Sequence, residues 1–241
     1  MTKLLYLEDM QALDADTRVE GVEERDGKTT VVLDQTIFYP QGGGQPYDQG
    51  RIESEKGSFR VDEVRFVDGI VCHIGRFEHG VFGSGDAVHL GVDGERRALH
   101  TRLHSAGHVV DMAVNRLGFP WIPGKGYHFP NGPYVEYAGT LEGKDRDALR
   151  GEIEKICGEI VAKDCPTSIR FMPREEMHTV CRFVPDYLPV GKPSRVVMYG
   201  DFGVPCGGTH VANLRDIGPI TVRKVKQEGQ NIRGAYSLRH S

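Results

Sequence analysis

The sequence predicts an α+β chain in two parts, a β-rich part over residues 1–92 and a mixed α/β part over residues 93–241. Three observations carry this. Short alternating runs broken by Asp-Gly and Gly-rich turns fill the first 92 residues. A long amphipathic helical pattern opens after Asp93. Beyond it, helical and strand patterns interleave.

In the first part, residues 18–24, 29–33, 60–66, 70–74 and 87–92 read as strands. Asp26-Gly27, Asp68-Gly69 and Gly83-Ser84-Gly85-Asp86 separate them, and Asp-Gly between alternating runs signals a hairpin. Short strands at this spacing suggest a small barrel or sandwich. Among them lies Phe38-Tyr39-Pro40-Gln41-Gly42-Gly43-Gly44-Gln45-Pro46. No Gly-Lys-Ser/Thr follows, so it is not a Walker loop, and no helical pattern follows, so it is not a dinucleotide fingerprint. It reads equally as a wide turn or as a loop whose amides approach a ligand closely.

Asp93 is the expected N-cap of a helix running to about residue 117, ended by Gly118 and Pro120. Leu99, Leu103, Ala106, Val110, Ala113 and Leu117 form its apolar stripe. Residues 119–133 read as a loop with Trp121 as a packing anchor, 134–137 as a strand, 144–163 as a second amphipathic helix and Thr167–Met172 as a strand. A short helix begins at Pro173. Residues 195–198, 219–225 and 232–238 complete the strands.

Two stretches carry chemistry. His104 and His108 have i, i+4 spacing, which on a helix sets them roughly 40° apart on one face. That face lies opposite the apolar stripe. It carries His100, Thr101, His104, Ser105 and His108 where a solvated face would carry Lys and Glu, a composition that fits a cleft. His100 itself is read as a helix-surface histidine. About a hundred residues on, Cys206-Gly207-Gly208-Thr209-His210 can fold back and aim a thiol and an imidazole at one point. Together, His104, His108, Cys206 and His210 make a donor set suited to one tetrahedral zinc ion.

Composition bounds the rest. With 39% hydrophobic and 27% charged residues the chain is ordinary for a soluble protein, and no apolar run approaches the roughly 20 residues a membrane span needs. Residues 1–16 lack a long apolar core and turn acidic, unlike a signal peptide. Five cysteines at scattered spacing argue against a disulfide framework. The expectation is a cytoplasmic protein with no membrane partner. A net charge of −4 leaves no overall basic footprint, so nucleic-acid contact would rest on local patches. The oligomeric state is not legible.

The glycine-rich stretch, Arg102-Leu103-His104-Ser105-Ala106-Gly107-His108 and Cys206-Gly207-Gly208-Thr209-His210, in that order, resemble the freestanding alanyl-tRNA editing proteins of the AlaX group. These are similar to the editing domain of alanyl-tRNA synthetase. The resemblance covers nearly the whole chain. It implies an N-terminal barrel beside an editing domain of the threonyl/alanyl-tRNA synthetase type. The implied activity is hydrolysis of mischarged tRNA(Ala), chiefly seryl, with glycyl as a second substrate. The implied zinc ligands are His104, His108, Cys206 and His210. Family members often carry Thr at the position of Ser105. Ser105, Gln41 and Gln45 are the catalytic candidates. Gly42, Gly43 and Gly44 are the substrate-binding candidates, with His128, because Lys125-Gly126-Tyr127-His128 takes the place of the stretch in which the synthetase domain carries a glutamine.

Overall fold

The computed structural model describes residues 1–25 and 27–239. Asp26, half of the expected Asp26-Gly27 turn, lies outside them. The chain divides into two compact units, residues 1–99 and 100–241, and the division falls inside a helix rather than at its start.

The first unit holds β1 (Lys3–Leu4), β2 (Asp14–Arg25), β3 (Lys28–Leu33), β4 (Gln35–Thr36), β5 (Gly50–Ser54), β6 (Gly57–Val67), β7 (Ile70–Gly80) and β8 (Ala87–Val92). Six of them close into an antiparallel barrel in the order β2-β3-β7-β6-β5-β8. Closure removes the sheet edges, which decides for a barrel over a sandwich. Alternation fills it: Val88, Leu90 and Val92 of β8 point inward between exposed or half-buried neighbours, onto Val31, Leu33, Ile52, Phe59 and Val64. Asp68 (φ 49°) and Gly69 (φ 81°) turn β6 into β7 as the left-handed pair a two-residue hairpin requires. Strand β5 was not expected: Ile52 is its one large apolar residue, too little for a periodic signal.

The helix α1 (Gly94–Arg116) starts as expected, with Asp93 Oδ1 accepting the Arg96 N–H at 3.0 Å. In the second unit follow β9 (Ile122–Tyr127), β10 (Tyr134–Ala138), α2 (Arg146–Val161), β11 (Thr167–Met172), β12 (Ser194–Tyr199), β13 (Phe202–Pro205), β14 (Ile220–Glu228) and β15 (Asn231–Leu238). They build a four-stranded sheet, β14-β15-β10-β9, and a three-stranded sheet, β11-β12-β13. A 3-10 helix (Arg174–Thr179) realises the short helix expected at Pro173. Asp145 caps α2, accepting from Asp147 N and Ala148 N. Leu149, Ile153, Cys157 and Ile160 are its buried face, and Cys157 Sγ sits 3.9 Å from the Val109 carbonyl oxygen of α1.

Two expectations need correction. Residues 122–127 are a strand, not loop. Pro123, Gly124 and Gly126 hide it, and it tolerates proline because it is the edge of its sheet. His100 is not on the surface but 2% exposed. The face of α1 opposite its apolar stripe is covered too: Thr101 Oγ1 meets Thr209 Oγ1 at 2.7 Å, so the Cys206–His210 loop lies over it.

Candidate metal centre

Helix α1 supplies His104 and His108 from successive turns, their rings stacked 5.0 Å apart between centroids. The loop after β13 supplies Cys206 and His210. One donor atom from each of the four lies within 4.8 Å of all the others. Cys206 Sγ is 3.5 Å from His104 Nε2 and 3.3 Å from His210 Nε2. Bonds of about 2.0–2.3 Å to one tetrahedral ion put ligand atoms roughly 3.3–3.7 Å apart. These separations therefore suit an ion, although a thiol–imidazole hydrogen bond has similar length.

His108 decides between the two. Its Nε2 is buried and has no hydrogen-bond partner among the described residues. A buried ring nitrogen left unmatched costs about 1–3 kcal/mol. Hydrogen bonding alone leaves His108 unsatisfied, whereas an ion at the centroid of the four donors satisfies all of them. The residues present fit a metal ion.

Electrostatics agree. Burial holds His104 and His210 well below the ordinary imidazole value, with neighbouring histidines and Arg195 adding to the shift. Burial takes His108 down to about 4 and His128 to about 3. All four rings are then neutral at pH 7, the form in which an imidazole can ligate a cation. Burial raises the Cys206 thiol; a bound dication reverses that and favours the thiolate.

Residues that sequence reasoning passed over hold the loop. Arg195 of β12, 7% exposed, donates to the carbonyls of Cys206 (2.5 Å) and Gly208 (3.0 Å). It fixes the turn that presents the thiol. The Tyr199 hydroxyl lies 2.9 Å from His210 Nδ1, the nitrogen turned away from the thiol. Such outer partners set which imidazole nitrogen is free to ligate. Arg195 does carry a sequence signal, a lone charge at the head of the apolar run Val196-Val197-Met198. Tyr199 carries none.

The other candidates fall in two places. Ser105, fully buried, does not bond back within its helix: its Oγ accepts the Val211 N–H at 3.1 Å and lies 3.4 Å from His210 Nδ1. His128, 4% exposed, stacks on His104 with centroids 4.4 Å apart. The glycine-rich loop belongs to the first unit. Gly42 and Gln45 bridge across it, and Gly43 (φ 52°) and Gly44 (φ 78°) turn it through the left-handed region. Gln41, Gly42 and Gly43 are exposed, Gly44 is half-buried and Gln45 is fully buried. Behind the loop, Arg97 forks onto Asp48 (3.0 and 2.5 Å) and donates to the Ile37 carbonyl (2.7 Å), while Asp48 also accepts the Tyr39 N–H. No helix among the described residues is long and apolar enough to cross a membrane.

Comparison with known proteins agrees with this reading of motifs. Residues 6–96 match the family described as tRNA synthetases class II (A), and residues 194–233 match the threonyl and alanyl tRNA synthetase second additional domain. An alanine–tRNA ligase of Methanopyrus kandleri is 35% identical over 224 residues, 92% of this chain but 24% of the ligase. The chain thus spans about a quarter of the length of the ligases it matches. The alanyl-tRNA editing protein AlaX-L of Pyrococcus horikoshii is 27% identical over 96% of this chain and 56% of its own length. AlaX-M of Methanosarcina barkeri is 31% identical over 98% of both chains. With that likeness running end to end, and the ligand stretches in place, the chain belongs to the AlaX family of alanyl-tRNA editing proteins.

Proposed function

We propose that this chain is a cytoplasmic trans-editing hydrolase that deacylates mischarged tRNA(Ala), chiefly seryl-tRNA(Ala) with glycyl-tRNA(Ala) as a second substrate, at a zinc centre in residues 93–241. One observation carries the reading: four donors from distant parts of the chain converge, and one of them, His108 Nε2, is buried without a hydrogen-bond partner among the described residues. Three imidazoles and one thiol favour zinc over the hard cations, which take oxygen ligands. Bound there, zinc would supply Lewis acidity for opening the ester between the amino acid and the terminal ribose.

The chain's own residues supply placement and selectivity. Arg195 and Tyr199 hold the Cys206–His210 loop. Ser105, whose hydroxyl accepts the Val211 N–H and also bonds the Tyr199 hydroxyl, is the residue we assign to the hydroxyl of a seryl group. Alanine leaves that contact unmade, which is how a polar contact discriminates where an apolar pocket cannot. Glycine enters by size alone. In the glycine-rich loop, exposed Gln41, Gly42 and Gly43 are the proposed substrate contacts, while Gly44 and buried Gln45 shape the loop.

A second reading has one observation in its favour. Four protein ligands make a closed set, which is usual for structural zinc, and a non-catalytic RNA-binding module would need nothing more. A panel of mischarged tRNAs, with metal content measured on the same sample, separates the two. Editing requires many turnovers of seryl-tRNA(Ala) per chain and little of alanyl-tRNA(Ala). Stoichiometric binding without turnover would establish the module instead.

A further inference from the structure

His128 sits in a slot built for it. Its Nδ1 lies 2.6 Å from the Tyr236 hydroxyl, which in turn donates to the Leu103 carbonyl at 2.9 Å. Tyr236 has one proton, so it accepts from His128 Nδ1–H, and the chain of bonds ends on the turn of α1 that bears His104. Two glycines make the room. A Cβ at Gly107 would come within 2.8 Å of His128 Nδ1 and 3.0 Å of the Tyr236 hydroxyl, and closer still to Cε1. A Cβ at Gly126 would run into Nε2 and lie 2.9 Å from Cε1. Gly107 is in mid-helix, where glycine is the weakest ordinary choice. Its presence follows from the ring that presses on it. The ring lies parallel to His104, 21° between planes.

We propose that His128 is a positioning residue: clamped by Tyr236 between Gly107 and Gly126, it fixes the ring plane of the ligand His104. In this role its Nδ1 and its face on His104 are engaged within the protein. The proposal rests on the metal-centre reading. A ligand imidazole whose ring can swing binds its ion less tightly, and loss of an outer-shell support lowers affinity by about 10–100-fold.

The test loads the full chain with Co²⁺ and reads its visible absorption and its affinity in competition with a chelator. Thermal melting is followed by circular dichroism on the same samples. The wild-type chain is expected to bind one equivalent with an intense tetrahedral band. A wild type that binds none overturns the metal-centre reading, and the positioning role with it. Given that band, His128→Ala is expected to weaken Co²⁺ binding about tenfold or more and shift the band. Gly107→Ala, a favourable helix change by propensity, is expected to do the same by displacing the ring. Tyr236→Phe keeps the shape of the clamp and is expected to weaken binding roughly fivefold without lowering the melting point in proportion. Should His128→Ala fail to fold, Tyr236→Phe and Gly107→Ala decide. Wild-type affinity and band in the folded variants would overturn the positioning role and leave the metal centre standing.

Discussion

Two buried polar clusters can be set side by side. In the first unit, Asp48 and Arg97 are almost wholly buried, and their bonds close the cluster on itself: guanidinium to carboxylate, guanidinium to the Ile37 and Met10 carbonyls, carboxylate to the Tyr39 amide. In the second, three imidazoles and a thiol converge, yet His108 Nε2 finds no hydrogen bond among the described residues. Both clusters bear the cost of burying polar groups. One recovers it from internal bonds and holds a loop in shape. The other leaves His108 Nε2 unmatched among the described residues unless something is added at its centre. A buried polar cluster thus points to a ligand through the bond it lacks, not through its burial.

Four predictions sharpen or break the contrast, and the largest effect belongs to the open cluster. Cys206→Ala or His108→Ala removes a donor. Each should abolish tight metal binding and lower seryl-tRNA(Ala) hydrolysis by about a thousandfold, a loss of several kcal/mol of stabilisation. Metal analysis and single-turnover kinetics would read both, and full activity in either variant breaks the comparison. Next, Asp48→Asn strands the Arg97 guanidinium and should cost about 3–5 kcal/mol in urea unfolding, while leaving metal content unchanged. A metal deficit in that variant would mean the two clusters do not differ as described.

His73 gives the third. It is fully buried in the barrel, its Nδ1–H donating to the Val31 carbonyl and its Nε2 2.9 Å from the Thr36 hydroxyl. Burial lowers it from 6.5 to about 4. The unfolded chain therefore takes up this proton first as pH falls. The stability held by a neutral His73 is complete above about pH 6.5, declines between about 6.5 and 4, and is lost below. Between pH 7.5 and 5 this one residue should remove about 2 kcal/mol, at 1.36 kcal/mol per unit. His73→Gln should lose less over the same interval. Equal losses in urea titrations at the two pH values would discount the residue.

The smallest effect is that of Ser105→Ala. It removes the acceptor of the Val211 N–H and the proposed contact to the seryl hydroxyl. Discrimination between seryl- and alanyl-tRNA(Ala) should fall roughly tenfold, about 1.4 kcal/mol. Unchanged relative deacylation rates would leave Ser105 as a loop tether alone.

What was legible in the sequence follows from where its signals come. The ligand pairs declare themselves by local spacing, His104 with His108 on a helix and Cys206 with His210 about a glycine turn. The 3.6-residue period of α1 and α2 is strong because each has one apolar face. Arg195 and Tyr199 at the two ends of β12 and Tyr236 in β15 belong to no local motif, and their roles exist only through contacts with other elements. His100 was misjudged for the same reason: a helix face opposite an apolar stripe looks like surface until a distant loop covers it. Strands β5 and β9 were missed because one apolar residue, or a proline and two glycines, leave no period to read.

The most direct test of the account strips the chain of metal with a chelator, checks by circular dichroism that it remains folded, and restores zinc in measured fractions. Seryl-tRNA(Ala) turnover is expected to disappear from the folded apo chain and to return in proportion to occupancy, reaching its maximum at one zinc per chain. Turnover that persists in the folded, metal-free chain would contradict it.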